Sequence, residues 1–184
     1  MFCAGLAILP NGDVFAGGGG NETNLYKASV FEVGNNAYQW RDGPRMIRDH
    51  WYGTAVALPD GGVFMTMGSD RSWNSSEVLG DGTSTTGTWD LLDGADTGMV
   101  MATIGTPTSD IPQPNNVSSS EYETRGWYPY LNVAPDGKLF HSGPVPRLHE
   151  FDLTGEGSVT QVGSRNDQLR TWGTYVMYNE GKIL

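Results

Sequence analysis

The sequence of 184 residues contains one cysteine, Cys3, so the chain can form no internal disulfide. Lys and Arg number only 11 against 21 Asp and Glu, and the net charge of −10 excludes a basic groove for nucleic acid and disfavours an anionic membrane surface. No apolar run approaches the roughly 18 residues of a membrane span. No apolar stripe of helical period occurs either, so we expect almost no helix. The Gly-x-Ser-x-Gly motif is also missing, which disfavours a conventional hydrolase.

The chain is instead rich in glycine and aromatics, with 26 Gly, 10 Pro, 6 Trp and 8 Tyr. Glycine supplies the positive φ of tight turns, and aromatic side chains favour pleated strands. This composition predicts short strands joined by tight turns.

One phrase recurs along the chain. It reads LPNGDVFAGG at 9–18, LPDGGVFM at 58–65, APDGKLFHSG at 134–143 and, more faintly, YNEGKIL at 178–184. Each copy is an apolar segment, a turn with glycine and a second apolar segment, which is the pattern of a β-hairpin. The turn glycines lie 49 residues apart between Gly12 and Gly61, and 44 apart between Gly137 and Gly181.

Repeats of about 40–50 residues with four strands each are typical of propeller blades, kelch-type near the upper end of that range. The sequence therefore predicts an all-β, kelch-type β-propeller fragment of about three and a half four-stranded blades. In the second blade we expect the third and fourth strands at 77–79 and 88–91. The predicted limits are 1–47 for blade 1, 48–95 for blade 2, 96–125 for an inter-blade loop, 126–168 for blade 3 and 169–184 for the start of blade 4. Because propellers close with typically 4–8 blades, we expect a larger propeller to contain this chain.

The first strand of each blade faces the central channel of a propeller, so equivalent positions in successive blades become neighbours. The count starts at the first residue of each turn, which is Leu9, Leu58, Ala134 or Tyr178. Six residues before these positions lie Cys3, Tyr52, Tyr128 and Trp172. This register predicts that Cys3 and Tyr52 lie at one level of adjacent inner strands. The alternative for Cys3 is a small buried side chain with no chemical role.

Three segments resemble the galactose oxidase/glyoxal oxidase family: FCAG at 2–5, RDHWYGT at 48–54 and WYPYL at 127–131. The likeness covers essentially the whole chain, and its most specific element is the Cys/Tyr pair in repeat register. The resemblance implies a thioether bond between Cys3 and Tyr52, with the Tyr52 oxygen as a copper ligand and the linked pair as a radical cofactor. It also implies oxidation of a small alcohol, aldehyde or carbohydrate by O₂ with release of H₂O₂, in an extracellular or periplasmic location.

The chain departs from this family at several points. The Tyr-His pair and further histidine that complete the family's copper site are missing, so the fragment is expected to be inactive alone. We expect His50, His141 and His149 to be surface or hydrogen-bonded residues. The family's stacking tryptophan has its place at Asp70, and Trp73 could take that role or pack a loop. This departure leaves the substrate class open but disfavours galactose, and the segment 127–131 is closer to glyoxal oxidases, so the resemblance implies a glyoxal-oxidase-like rather than a galactose-specific enzyme. Tyr128 either lines the channel near the copper or packs in the core.

Two readings from other classes stay open. A non-catalytic kelch-type propeller that binds proteins or glycans would keep the hairpins and would need no cysteine at the channel level. A secreted propeller that binds or cleaves polysaccharides has support only from the aromatic residues.

Overall fold

The structure is a computed structural model that describes residues 3–20, 25–33, 38–44, 46, 50–66, 77–79, 100–103, 128–154, 158–165, 170 and 173–184. Within these residues the regular elements are all β-strands. The first sheet comprises β1 Gly5–Ile8, β2 Val14–Gly17, β3 Ala28–Glu32 and β4 Gln39–Asp42. The second comprises β5 Thr54–Ala57, β6 Val63–Thr66, β7 Glu77–Leu79 and β8 Val100–Thr103. The third comprises β9 Tyr130–Val133, β10 Leu139–Gly143, β11 Arg147–Asp152 and β12 Ser158–Ser164, and the last β13 Met177–Asn179 and β14 Lys182–Ile183.

Each four-stranded sheet is an antiparallel meander in which every strand pairs with the next one in sequence. The recurring phrase forms the hairpin between the first two strands of each sheet, as predicted. Its glycines have positive φ, at 88° for Gly12, 92° for Gly61 and 87° for Gly137, which a residue with a Cβ adopts only with strain. The side chain before each of these glycines accepts a hydrogen bond from the backbone two residues on, since Asn11, Asp60 and Asp136 all make this contact.

The sheets pack face to face in chain order. A core between the first and second sheets includes Phe15, Val30 and Met65, and a core between the second and third includes Phe64 and Phe151. The rings of Phe64 and Phe151 meet edge to face with centroids 5.4 Å apart. Burying side chains of this size removes a large apolar area from water, so these two interfaces hold the sheets together.

The inner strands of neighbouring sheets also touch, β1 against β5 and β5 against β9. At the first of these contacts a Cβ on Gly5 would lie 2.9 Å from the backbone nitrogen of Ala55, so the two strands approach more closely than a side chain allows. Four-stranded meanders that pack face to face and meet along their first strands are blades around a common axis. The predicted fold, a partial β-propeller, is confirmed.

The outer strand of the second blade differs from expectation. The predicted strand at 88–91 lies outside the described residues, and the fourth strand that the structure describes is β8, within the stretch 96–125 assigned to a loop. Its pairing Leu79↔Val100 makes it the edge of the sheet. An edge strand is held by backbone hydrogen bonds on one side only. The pattern of apolar residues in its sequence is therefore weaker than that of a core strand. The blade limits stay predictions.

The described part of the chain includes no helix long and apolar enough to cross a membrane.

Candidate functional site at the inner strands

Cys3, Tyr52 and Tyr128 each lie two residues before the first strand of a blade, and all three share an unusual backbone conformation. Their φ angles are 61°, 63° and 45°. For a residue with a Cβ this left-handed region costs about 1–2 kcal/mol, so the surrounding structure must hold it in place. Three non-glycine residues in the same strained conformation at equivalent repeat positions define one structural level, which the count from the turns predicts.

Backbone hydrogen bonds join the three residues from blade to blade. The Tyr52 N–H donates to the Cys3 carbonyl oxygen at 3.1 Å, and the Tyr128 N–H donates to the Tyr52 carbonyl oxygen at 2.6 Å. The Thr54 hydroxyl adds a bond of 2.9 Å to the Pro129 carbonyl oxygen. The segments before β1, β5 and β9 are therefore held in sequence around the axis, with their side chains free to converge.

Cys3 has the largest effect on the Tyr52 phenol. A side-chain hydrogen bond with Cys3, then burial, then the charge interaction with Cys3 raise the pKa of Tyr52. A hydrogen bond that raises a phenol's pKa stabilises its protonated form. Cys3 is half-buried and forms no disulfide.

Tyr128 completes the cluster. Its ring meets the Tyr52 ring edge to face, with centroids 5.5 Å apart and planes at 83°. Burial, then charge interactions with Cys3 and Tyr52, then a hydrogen bond with Cys3 raise the pKa of Tyr128 to about 12. Tyr128 is still 38% exposed, so it borders solvent at the channel end rather than packing wholly in a core.

Trp51 is a neighbour of the cluster that the sequence reasoning missed. Its ring lies 4.9 Å from the Tyr52 ring, tilted by 49°. Both residues precede β5, which begins at Thr54, so the alternation of side chains along a strand does not apply to them. The Trp51 indole Nε1 is buried and finds no hydrogen-bond partner among the described residues. Trp73 and Trp172 lie outside the described residues.

All three histidines are buried, at 0%, 1% and 7% exposure for His50, His141 and His149. None therefore lies at the surface, which was one of the two expected environments. His141 and His149 hydrogen-bond to each other in blade 3, which confirms the other expected environment for these two residues. Their burial depends on how neighbouring sheets pack, which the local sequence does not reveal.

The cluster fits one part of a copper site. The Tyr52 phenol is a hard oxygen donor of the kind that Cu(II) accepts, and a bound cation would offset its raised pKa. Across the described ranges, no group of three or more His, Cys, Asp or Glu side chains is placed to hold a metal ion. Within the described residues the cluster thus offers the phenols of Tyr52 and Tyr128 and the sulfur of Cys3, without a larger group of His, Cys, Asp or Glu side chains around them.

Comparisons with known proteins agree with this picture. No family model matches the chain. Two curated galactose oxidases of Gibberella zeae are each 28% identical over 194 residues, covering 100% of this chain and 25% of each relative. The chain thus spans about a quarter of their length. A solved fungal alcohol oxidase, described in complex with copper, matches with a TM-score of 0.71 at 22% identity, covering 100% of this chain and 34% of that one. The structural match shows a shared fold, the sequence match extends along the whole chain, and together they confirm that the chain is galactose oxidase-like.

Proposed function

We propose that this chain forms part of the catalytic propeller of a copper radical oxidase, with Cys3 and Tyr52 as its thioether-linked cofactor. The observation that carries the proposal is that Cys3 and Tyr52 occupy equivalent positions of neighbouring blades, where the Tyr52 N–H donates to the Cys3 carbonyl oxygen at 3.1 Å. Cys3 is also the only cysteine of the sequence, and its interaction with Tyr52 raises the pKa of that phenol. A binding propeller would have no need of a thiol here. The match to galactose oxidases, which extends along the whole of this chain and a quarter of each relative, supports the same conclusion.

The thioether forms by oxidation of the two side chains. The Cys3 S–H bond and one ring C–H bond of Tyr52 ortho to the hydroxyl break, and a C–S bond forms. Two electrons and two protons leave, and O₂ accepts them to give H₂O₂. The sulfur then donates electron density to the ring, so that the linked Tyr52 loses one electron more readily than an ordinary phenol.

Tyr52 would hold copper through its phenol oxygen after losing its proton. Copper, when bound, would supply one of the two oxidising equivalents needed to convert an alcohol to an aldehyde. The role of this chain's residues is to bind the metal through Tyr52, to store the second equivalent on the linked ring and to cover that ring with Trp51. Because the sequence has no Tyr-His pair and the described residues include no group of three or more His, Cys, Asp or Glu side chains, we propose that the chain is inactive without further ligands.

The substrate proposed is a small primary alcohol or an aldehyde, in the manner of glyoxal oxidases, with O₂ as the electron acceptor. Asp70 stands where a galactose-oxidising enzyme has its stacking tryptophan, and WYPYL at 127–131 is closer to the glyoxal oxidase pattern. An extracellular or periplasmic location follows from the same resemblance, and neither nucleic acid nor membrane is a proposed partner.

Tryptic mass spectrometry tests the proposal on the full-length gene product after treatment with copper and O₂. Trypsin releases Cys3 in peptide 1–27 and Tyr52 in peptide 49–71. We expect these two peptides joined, with a mass two hydrogens below their sum. The matched control is Tyr52→Phe, which keeps the ring and should give two separate peptides. Separate, unmodified peptides in the unsubstituted protein would instead favour the non-catalytic binding propeller.

A further inference from the structure

We propose that a cavity between blade 3 and the hairpin β13–β14 binds a small organic anion, with two arginines at its polar end and apolar side chains along its wall. The cavity has a volume of about 280 Å³. This is close to the roughly 300 Å³ at which the usual size range of small-molecule sites begins. The inference does not depend on the proposed pairing of Cys3 with Tyr52.

The polar end of the cavity lies at the end of blade 3 where β9 begins. Gly143, the last residue of β10, pairs with Tyr130, the first residue of β9, so the turn from β10 to β11 lies at this end. Arg165 follows the last residue of β12, and its N–H donates to the Pro146 carbonyl oxygen in that turn at 2.8 Å. Arg165 thus lines the cavity at the end of the blade that also carries Tyr128.

One backbone carbonyl group holds both arginines. The Pro144 carbonyl oxygen accepts a bond of 3.1 Å from Arg165 Nη2 and another of 3.1 Å from the Arg170 N–H. Arg165 Nη2 also donates to the Val145 carbonyl oxygen at 3.4 Å. The Arg170 carbonyl oxygen in turn accepts a bond of 2.9 Å from the Tyr130 hydroxyl. The Arg165 guanidinium and the Arg170 backbone are therefore fixed beside each other, and groups that are already ordered lose less freedom on binding.

The polar end carries positive charge. The described residues that line the cavity include two arginines and no aspartate or glutamate, in a chain whose net charge is −10. Burial raises the pKa of Tyr130, whereas the positive charges of Arg165 and Arg170 lower it, so both guanidiniums act on this one phenol. An anion bound between two like charges offsets their repulsion, and a guanidinium can donate two parallel hydrogen bonds to a carboxylate. This end of the cavity therefore favours an anion.

The wall of the cavity decides which class of anion fits. Phe140, Leu148 and Ile183 line it, and they are apolar. Tyr130 and Tyr175 add aromatic surface, since their rings stack with centroids 4.6 Å apart and planes at 18°. An inorganic anion would leave this surface in contact with water, whereas an anion with an apolar body would cover it. The ligand class is thus a carboxylate on an aromatic or short aliphatic body.

Isothermal titration calorimetry tests the proposal with benzoate as the probe, on the copper-free, full-length gene product. Benzamide is the neutral analogue of similar shape, and inorganic phosphate is an anion without an apolar body. We expect benzoate to bind at least about ten-fold more tightly than either, because each of them lacks one of the two kinds of contact. Equal binding of benzamide or of phosphate would overturn the proposal, as would a lack of benzoate binding at millimolar concentrations.

Arg170→Gln tests the polar end, because it removes the charge of an exposed side chain and keeps the backbone hydrogen bonds of residue 170. Benzoate should bind about ten-fold more weakly, the factor at the lower end of the range for a hydrogen bond to a charged group. The matched control is Arg41→Gln, which removes the same charge in blade 1, where Arg41 pairs with Glu32 at 2.8 Å. Equal benzoate affinities of the Arg170→Gln variant and the unsubstituted protein would contradict the proposal.

Phe140→Ala tests the apolar wall as a second, independent variant. It removes apolar surface from the cavity and leaves both arginines in place, so benzoate should bind more weakly while the weaker binding of phosphate stays unchanged. An unchanged benzoate affinity would mean that the wall takes no part, and the proposal would fail. Thermal unfolding without ligand shows whether each variant keeps the fold. Because copper is absent throughout, these results do not depend on whether the proposed oxidase function holds.

Discussion

His141 Nδ1 lies 3.2 Å from His149 Nδ1, at directly paired positions of β10 and β11. At that distance one ring donates its N–H and the other accepts, so the two imidazoles hold complementary tautomers. Residue 141 shares its strand face with Leu139, which belongs to the core between blades 2 and 3. The pair is thus a polar contact enclosed in an otherwise apolar interface between blades.

Replacing either histidine should destabilise the fold. His149→Leu removes the hydrogen-bond partner of a buried imidazole, and the expected loss of unfolding free energy is about 1–3 kcal/mol. The double substitution with His141→Leu should cost less than the sum of the two single ones, because the second change removes the group left without this partner. Urea denaturation of the four proteins measures the coupling. The control combines His141→Leu with Gln39→Ala, a substitution on the exposed outer strand of blade 1. In this control the losses of unfolding free energy should add up. Additivity in the histidine pair itself would contradict the prediction.

Gly5 should tolerate no side chain. A Cβ there would lie 2.9 Å from the Ala55 nitrogen and 3.1 Å from the Gly53 carbonyl oxygen, both backbone atoms of the next blade. Gly5→Ala must push β1 away from β5, and overpacking of this kind costs about 1–3 kcal/mol.

Gly163→Ala is the control for this substitution, since the nearest atom to its new Cβ would be Leu148 Cδ1 at an ordinary 3.6 Å. It should be neutral or slightly stabilising, because alanine reduces the freedom of the unfolded chain. Chemical denaturation distinguishes the two variants, and equal midpoints would show that the blades adjust at no cost.

The hairpins and the level of the cluster could be predicted from sequence because both depend on local signals. A turn with glycine after Asn or Asp dictates its own conformation, and a constant offset from that turn locates Cys3, Tyr52 and Tyr128 on successive blades. The repeat therefore carries long-range information in a short pattern.

The remaining features depend on tertiary structure. The positive φ angles at Tyr52 and its equivalents occur where backbone hydrogen bonds join neighbouring blades, and the ring contact of Trp51 with Tyr52 arises in the same segment. The burial of His50 and the position of β8 depend likewise on what packs or pairs beside them. No window of sequence contains those partners.

Alkaline pH should weaken the fold through Tyr128. Its pKa of about 12 in the folded protein exceeds the ordinary value of about 10 for an unfolded tyrosine, because burial disfavours the phenolate. A raised pKa means that the contribution is fully present below pH 10 and is lost as the pH rises from about 10 to about 12, where the unfolded chain releases its proton and the folded chain does not. Urea midpoints should therefore fall over this interval, and by less in Tyr128→Phe than in the unsubstituted protein. Absorbance at about 295 nm, which reports tyrosinate, should show the loss of one late-titrating group in that variant. A midpoint that falls equally in both proteins would mean that Tyr128 releases its proton as readily in the folded chain as in the unfolded one, so that the cluster with Cys3 and Tyr52 does not shield it.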